Sequence, residues 1–184
     1  SGNIKIYGVQ VEEGSYPTSY IKSNTGSATT RLAETCNGAG NAATFNDSEG
    51  VLMVESSALA DDNSNRVIQL SDGSNSNRIF IGYWSLSNEI RIFLKVGGAT
   101  QVFDGNTSYD ILDFNKIAFK YKENDFALWI NGIEVITDTS GITFPIGTLT
   151  ELDFDANGAT PFYGNTKQLQ YYNSALTDSE LEQL

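Results

Sequence analysis

The chain has 184 residues and 20.0 kDa, with 11 Lys and Arg against 23 Asp and Glu, no histidine, and a net charge of −12. That charge repels nucleic acid and anionic lipid as general partners, and the missing imidazole rules out Ser-His-Asp and Cys-His nucleophiles and histidine metal sites. Cys36 has no second cysteine to pair with, and no run approaches the roughly 18 apolar residues of a membrane span, so neither an internal disulfide nor membrane insertion is expected.

The length suits one core, and 17 Gly with only 3 Pro among many Asn, Ser, Thr and Asp spells short strands joined by turns. Residues 4–11, "IKIYGVQV", alternate as a strand does. Residues 12–50 have little periodicity and read as a long surface crossing, with one short strand near Ala43–Phe45. "VLMVES" from Val51 is the next strand, and "DDNSN", Asp61 to Asn65, is a polar loop before the following run.

The runs "RVIQL" (66–70), "NRIFIGYW" (77–84) and "EIRIFLKV" (89–96) are separated by turn-tolerant segments and should be antiparallel neighbours. "NKIAFKYK" (115–122) and "FALWI" (126–130) follow, and Asn131-Gly132 makes a type I′ turn into "IEVIT" (133–137). "LDFD" and "KQLQYY" add two strands. At the end, Thr177 and Glu180 have capping-box spacing, and Leu176 and Leu181 sit where a hydrophobic staple clamps a short helix. Hairpins that come in runs between long crossings favour a sandwich over a barrel. The expectation is an all-β, two-sheet antiparallel sandwich with a short C-terminal helix. It is read as a single domain over 1–184, with 1–31 a strand and crossing segment suited to a junction with a preceding domain.

Strand parity assigns sides. If Ile90, Ile92 and Leu94 face the core, Arg91, Phe93 and Lys95 face away, and pairing puts Arg78, Phe80 and Trp84 on that same outer side. Tyr83 then points to the core. In the next hairpin Ile117, Phe119 and Tyr121 read inward with Lys116, Lys120 and Lys122 outward, and Trp129 also faces out. Aromatic rings stack on the apolar faces of sugars, and Arg or Lys beside them holds hydroxyls, carboxylates or sulfates. Arg78, Phe80, Trp84, Arg91, Phe93 and Trp129 are therefore the candidate carbohydrate-binding residues. The same parity is equally that of rings packed under a covering loop or the terminal helix, or against another copy of the chain.

Two stretches, "NKIAFKYKENDFALWINGIEV" and "PFYGNTKQLQYYNSALTDSELEQL", carry a strand, a polar turn, an Asn-Gly hairpin, then "PFYG", a strand and "ALTDSEL". In that order they resemble the laminin-G-like branch of the concanavalin A-like jelly rolls. The opening "YGVQVEEGSYPTSYI" with "SATTR" further resembles a junction in bacteriophage tail proteins and marine bacterial surface proteins. The resemblance implies a jelly roll used as an adhesion or carbohydrate-binding module, and fold alone does not fix the ligand.

"ELDFDANG", Glu151 to Gly158, invites three readings. Retaining endoglucanases of the same superfamily carry Glu-x-Asp-x-Glu on one strand, but Asp155 stands where the acid should be. A retaining pair needs carboxyls about 5–5.5 Å apart, which the shorter side chain undoes. Only 29 residues follow Asp155, less than those enzymes place after the motif. As a calcium loop, Asp153, Asp155, Asn157 and Gly158 lack the bidentate Glu, since position 164 is Gly. A looser calcium site is implied by the resemblance at a sheet-edge loop, with Asp61, Asp62, Asn63 and Asn65 as ligands. The third reading, a plain strand with Leu152 and Phe154 inward and its three acids in water, is the one expected here.

The reading that follows is a non-catalytic carbohydrate-binding or receptor-adhesion module of a larger phage structural or secreted protein, extracellular or virion-associated. Its partner is a polysaccharide or cell-surface glycan. A structural module that forms a homo-oligomer in a fiber is the alternative, and a glucanase-like hydrolase stands behind both.

Overall fold

The computed structural model describes residues 3–5, 9–11, 20, 22 and 36–184, and its backbone divides into two units, Ser1–Thr35 and Cys36–Leu184. Of the strand expected over 4–11, residues 6–8 lie outside the described residues, and those described are in no strand. Most of the expected crossing up to residue 35 also lies outside the described residues.

The described elements are β1 (Glu49–Ala58), β2 (Arg66–Ser71), β3 (Arg78–Tyr83), β4 (Ile90–Val96), β5 (Ala99–Asn106), β6 (Asn115–Lys122), β7 (Phe126–Ile130), β8 (Ile133–Asp138), β9 (Glu151–Asp153), β10 (Gly164–Tyr172) and α1 (Asp178–Leu181). They form two antiparallel five-stranded sheets, ordered β10-β1-β6-β7-β8 and β5-β4-β3-β2-β9. This is the two-sheet jelly roll that the alternation predicts.

Register explains the core. In one sheet Tyr171, Leu52, Phe119, Leu128 and Ile136 are successive cross-strand neighbours. In the other, Leu152, Leu70, Ile79, Leu94 and Val102 make the same kind of row. Both rows belong to one apolar cluster between the sheets. Each fully buried side chain of this kind contributes roughly 1.5–3 kcal/mol. Tyr83 is inward, as expected. Its hydroxyl lies 3.0 Å from that of Ser56, and burial pushes its pKa up to about 12.

Two expectations need correction. Ala43–Phe45 is no strand: Thr44 N–H donates to the Asn41 carbonyl at 2.8 Å and closes a turn, and Phe45 is buried for a different reason, its ring edge-on to Tyr171 at 5.1 Å. Conversely, β5 exists where no strand was expected. Its sequence "ATQVFDGN" buries only Val102, because an edge strand packs on one face alone. The turn into β5 is Gly97-Gly98, with φ of 55° and 84°, the left-handed backbone a two-residue hairpin requires.

The outer face of the β1-β6-β7 sheet is closed by the C-terminal segment. Leu181 of α1 is buried with Val51, Met53, Ala118, Ala127 and Trp129. The Glu180 carboxylate accepts the Thr177 N–H at 2.8 Å and its hydroxyl at 2.7 Å, and these bonds lower the Glu180 pKa. Lys120 joins the helix to β6 through Asp178 at 3.6 Å while pairing with Asp125 at 2.8 Å. Gly132 is required twice over. Its φ is 77° in the turn, and a Cβ there would stand 2.6 Å from the Glu182 carbonyl oxygen.

Candidate functional site

The outer face of the β5-β4-β3-β2-β9 sheet has a different character. Alternation and register set Asp153, Gln69, Phe80, Phe93 and Phe103 in one row across all five strands. A neighbouring row runs Glu151, Ser71, Arg78 and Lys95. Trp84 follows β3 on the same side, beyond Gly82.

The rings form one assembly separate from the inter-sheet core. Phe80 stacks on Phe93 at 4.9 Å and on Trp84 at 5.3 Å, while Phe103 meets Phe93 and Trp84 edge-on at 5.7 and 6.2 Å. Between Phe80 and Trp84 in the chain, Gly82 lets β2 approach closely. A Cβ there would stand 2.4 Å from the Arg66 carbonyl oxygen and 2.8 Å from Val67 Cγ1. Exposure is uneven along the row: Phe80 is 2% exposed, Phe93 8% and Phe103 53%, with Trp84 partly buried. The rings are thus turned outward, and two of them are buried by their neighbours rather than open. Phe103 is the open ring. It stands on the strand that periodicity does not reveal, and its only sequence signal is an isolated aromatic after a Gly-Gly turn.

The two arginines play different parts. Arg91 donates from Nε to Glu89 Oε1 at 2.8 Å and from Nη2 to the same oxygen, and Glu89 is itself buried. So neutralised, the Arg91 guanidinium lies 4.1 Å over the Phe103 ring. Arg78 lies over Phe93 at 5.2 Å and Phe80 at 5.8 Å, and its Nη1 donates to Asn75 Oδ1 at 3.0 Å. Burial lowers its pKa.

A hairpin walls the β2 side of this face. Asn157 and Gly158 have φ of 53° and 79°, and Ala156 and Ala159 exchange backbone bonds around them, so "ANGA" is a type I′ turn. Gln69 Nε2 donates to Asn157 Oδ1 at 2.9 Å, and Asn157 Nδ2 donates to Asn75 Oδ1 at 3.0 Å. This amide chain ties the turn to the loop that holds Arg78, and Ala156 packs against Val67, Phe80 and Phe93. The rest of "ELDFDANG" corrects the expectation of acids in water. Leu152 is inward and Asp153 and Asp155 point the opposite way, but they are only 4% and 8% exposed. Segment 36–39 pairs with β9, and from it Gly38 N–H donates to Asp153 Oδ1 at 2.6 Å and Asn37 Nδ2 to Asp155 Oδ2 at 2.8 Å. Burial, with Asp153, Asp72 and Asp155 nearby, raises the Glu151 pKa.

Two expected groups lie elsewhere. Trp129 is on the opposite sheet, 7% exposed beneath Leu181, and its Nε1 has no partner. The structure therefore does not bring it together with Phe80, Trp84 and Phe93. In the loop of Asp61, Asp62, Asn63 and Asn65, Asp62 Oδ1 accepts Arg66 Nη2 at 2.6 Å and Ser64 N–H at 3.0 Å. Asp61 Oδ2 accepts the Ser87 hydroxyl and Asn88 N–H. Asp61 Oδ1 and Asn65 Oδ1 are oxygens of the kind calcium takes and lack partners, but the buried Arg66 already supplies a positive charge to this loop. Among the described residues no three His, Cys, Asp or Glu gather as metal ligands.

A separate open groove of about 320 Å³ lies between residues 42–48 and the Ile146-Gly147 turn. Its carboxylate, Asp47, accepts N–H groups from Gly147, Thr148 and Leu149 at 2.6, 3.1 and 2.7 Å, which makes it a loop anchor.

A family model described as the concanavalin A-like lectin/glucanases superfamily matches residues 54–182. No curated protein sequence matches. Among solved structures, the CBM40 module of the Ruminococcus gnavus IT-sialidase bound to α2,3-sialyllactose is similar with a TM-score of 0.63 at 17% identity, covering 82% of this chain and 95% of that one. Domain 4 of AbnA, a GH43 extracellular arabinanase from Geobacillus stearothermophilus in complex with arabinotriose, is similar at 0.62 and 14%, covering 78% and 69%. The leech intramolecular trans-sialidase complexed with 2,7-anhydro-Neu5Ac is similar at 0.61 and 18%, covering 75% of this chain but 23% of that one. At these identities the likeness is one of fold.

Proposed function

The chain belongs to the concanavalin A-like lectin/glucanase superfamily, and from that membership we propose that it is a carbohydrate-binding module whose contact face is the outer side of β3, β4 and β5. One observation carries the reading: Phe103 is half exposed beside Trp84, on a bed of buried Phe80 and Phe93, with a guanidinium against its ring. Sugar rings dock on such fixed aromatic faces, and polar neighbours orient their hydroxyls. The sialyllactose and arabinotriose bound by two structural neighbours support glycans as the ligand class.

The module binds without breaking bonds. Asp153 and Asp155, the acids that a hydrolase would need beside Glu151, are buried and engaged by Gly38 and Asn37. It acts outside the cell or on a virion, as one part of a larger secreted or phage structural protein. Single-site affinity is modest and grows with the number of copies displayed together.

A glycan array probed with the wild type and Phe103→Ala tests this. Binding to at least one glycan class, weakened about tenfold or more by Phe103→Ala, is expected. A wild type that binds nothing on the array would contradict the reading. In that case the open Phe103 favours the alternative, an interface with another copy, and the mass in solution would be a multiple of 20.0 kDa.

A further inference from the structure

The described strands carry few cations, and most are paired. Arg66 pairs with Asp62, Arg91 with Glu89, Lys120 with Asp125 and Asp178, Lys122 with Glu49, and Lys167 with Glu55. Of the cations on the described strands, Arg78, Lys95 and Lys116 have no carboxylate within salt-bridge distance among the described residues, and Lys116 is on the other sheet. Arg78 and Lys95 are direct cross-strand partners on the aromatic face. Like charges set opposite each other on neighbouring strands destabilise a sheet. In a chain of net charge −12, carboxylates to neutralise this pair are plentiful, yet none of the described ones is placed there.

We propose that Arg78 and Lys95 form an anion subsite, so that the glycan held by the aromatic face carries a carboxylate or sulfate group. The inference rests on the glycan reading of that face. The guanidinium is already fixed: Asn75 holds Nη1, the Phe80 and Phe93 rings lie beneath, and Arg78 Nε is buried without a partner. Opposite residues on paired strands have Cβ atoms about 4.5–5.5 Å apart, so the two cationic tips can converge on one oxyanion. Phe103 is the cross-strand partner of Phe93, which is two residues from Lys95 on the same face, so the open ring and Lys95 are diagonal neighbours about 7–8 Å apart, a distance one sugar unit bridges.

The surrounding acids do not cancel the pair. Glu151 is separated from Arg78 by Ser71, their backbones two strand spacings or about 9.6 Å apart, and the two make no ion pair. Asp72 is engaged by Ser74 N–H at 2.9 Å and Asn77 Nδ2 at 2.8 Å. Screening at physiological salt confines the repulsion expected from the net charge to short range.

The test is a glycan array on which each uronate oligosaccharide is printed beside its methyl ester and each sulfated one beside its desulfated form. The wild type should bind the charged member of a pair at least tenfold better. A preference confined to the uronate pairs assigns a carboxylate, and one confined to the sulfated pairs assigns a sulfate. Arg78→Gln and Lys95→Gln should each erase the preference by weakening the charged members more than the neutral ones. Unliganded Lys95→Gln should melt no lower than the wild type, because a like-charge contact is removed. Equal binding of charged and neutral members would overturn the subsite and leave the glycan reading standing. A Lys95→Gln protein that melts well below the wild type would assign Lys95 a structural role and also overturn it. Silence toward every glycan is instead the failure of the underlying reading.

Discussion

Phe80 and Phe103 share a row across the sheet but differ in exposure, 2% against 53%, and this separates support from contact. Phe80→Ala should cost about 3 kcal/mol or more in denaturant unfolding, as buried Phe truncations do. Phe103→Ala should cost less than about 1 kcal/mol and lose glycan binding. Parity in the sequence was enough to turn Phe80, Trp84 and Phe93 outward, since one face of each strand had to be apolar. It was not enough to say which ring stays open, because that depends on the strand beside β4. Asp153 and Asp155 teach the same lesson: their direction was legible, whereas their cover comes from Gly38 and Asn37, more than a hundred residues away. The partly buried, acid-rich setting of Glu151 raises its carboxyl above its ordinary value in the folded state. The folded protein thus binds that proton more tightly than the unfolded chain, and the ionised form destabilises the fold at higher pH. Glu151→Gln should therefore melt higher than the wild type at pH 7, and the advantage should shrink as pH falls through the raised pKa toward 4.5. Equal melting temperatures at pH 7 would contradict this.

Among elements, α1 is only four residues long and depends on one anchor. Leu181 is 1% exposed against Met53, Ala118 and Trp129. Leu181→Ala should cost about 2–3 kcal/mol and shift tryptophan emission to the red as Trp129 meets water. The capping box and staple made this helix readable in sequence, because both are local. β5 was not readable for the opposite reason. Its pattern has one buried residue, and its pairing is set by the Gly97-Gly98 turn rather than by its own periodicity. In the Asp61–Asn65 loop Arg66 already balances Asp62, so added calcium should leave the melting temperature unchanged. A rise reversed by chelator would instead assign Asp61 Oδ1 and Asn65 Oδ1 to the ion.

For the whole molecule, the two sheets treat their outer faces differently. One is capped by the chain's own C-terminal segment, and the other keeps an open ring, an unpaired cation pair and a walled edge. The fold was legible because many spaced hairpins agree with one architecture, while the ligand was not, since it depends on which few side chains remain uncovered. The two tryptophans, Trp84 and Trp129, stand on opposite sheets, which gives a direct readout. Trp129 Nε1 has no hydrogen bond to lose, so Trp129→Phe should fold and leave Trp84 as the sole reporter. Titrating that protein with the glycan that binds on the array should change Trp84 emission in a saturable way. Binding that saturates with Trp84 emission unchanged would contradict the placement of the site on this face.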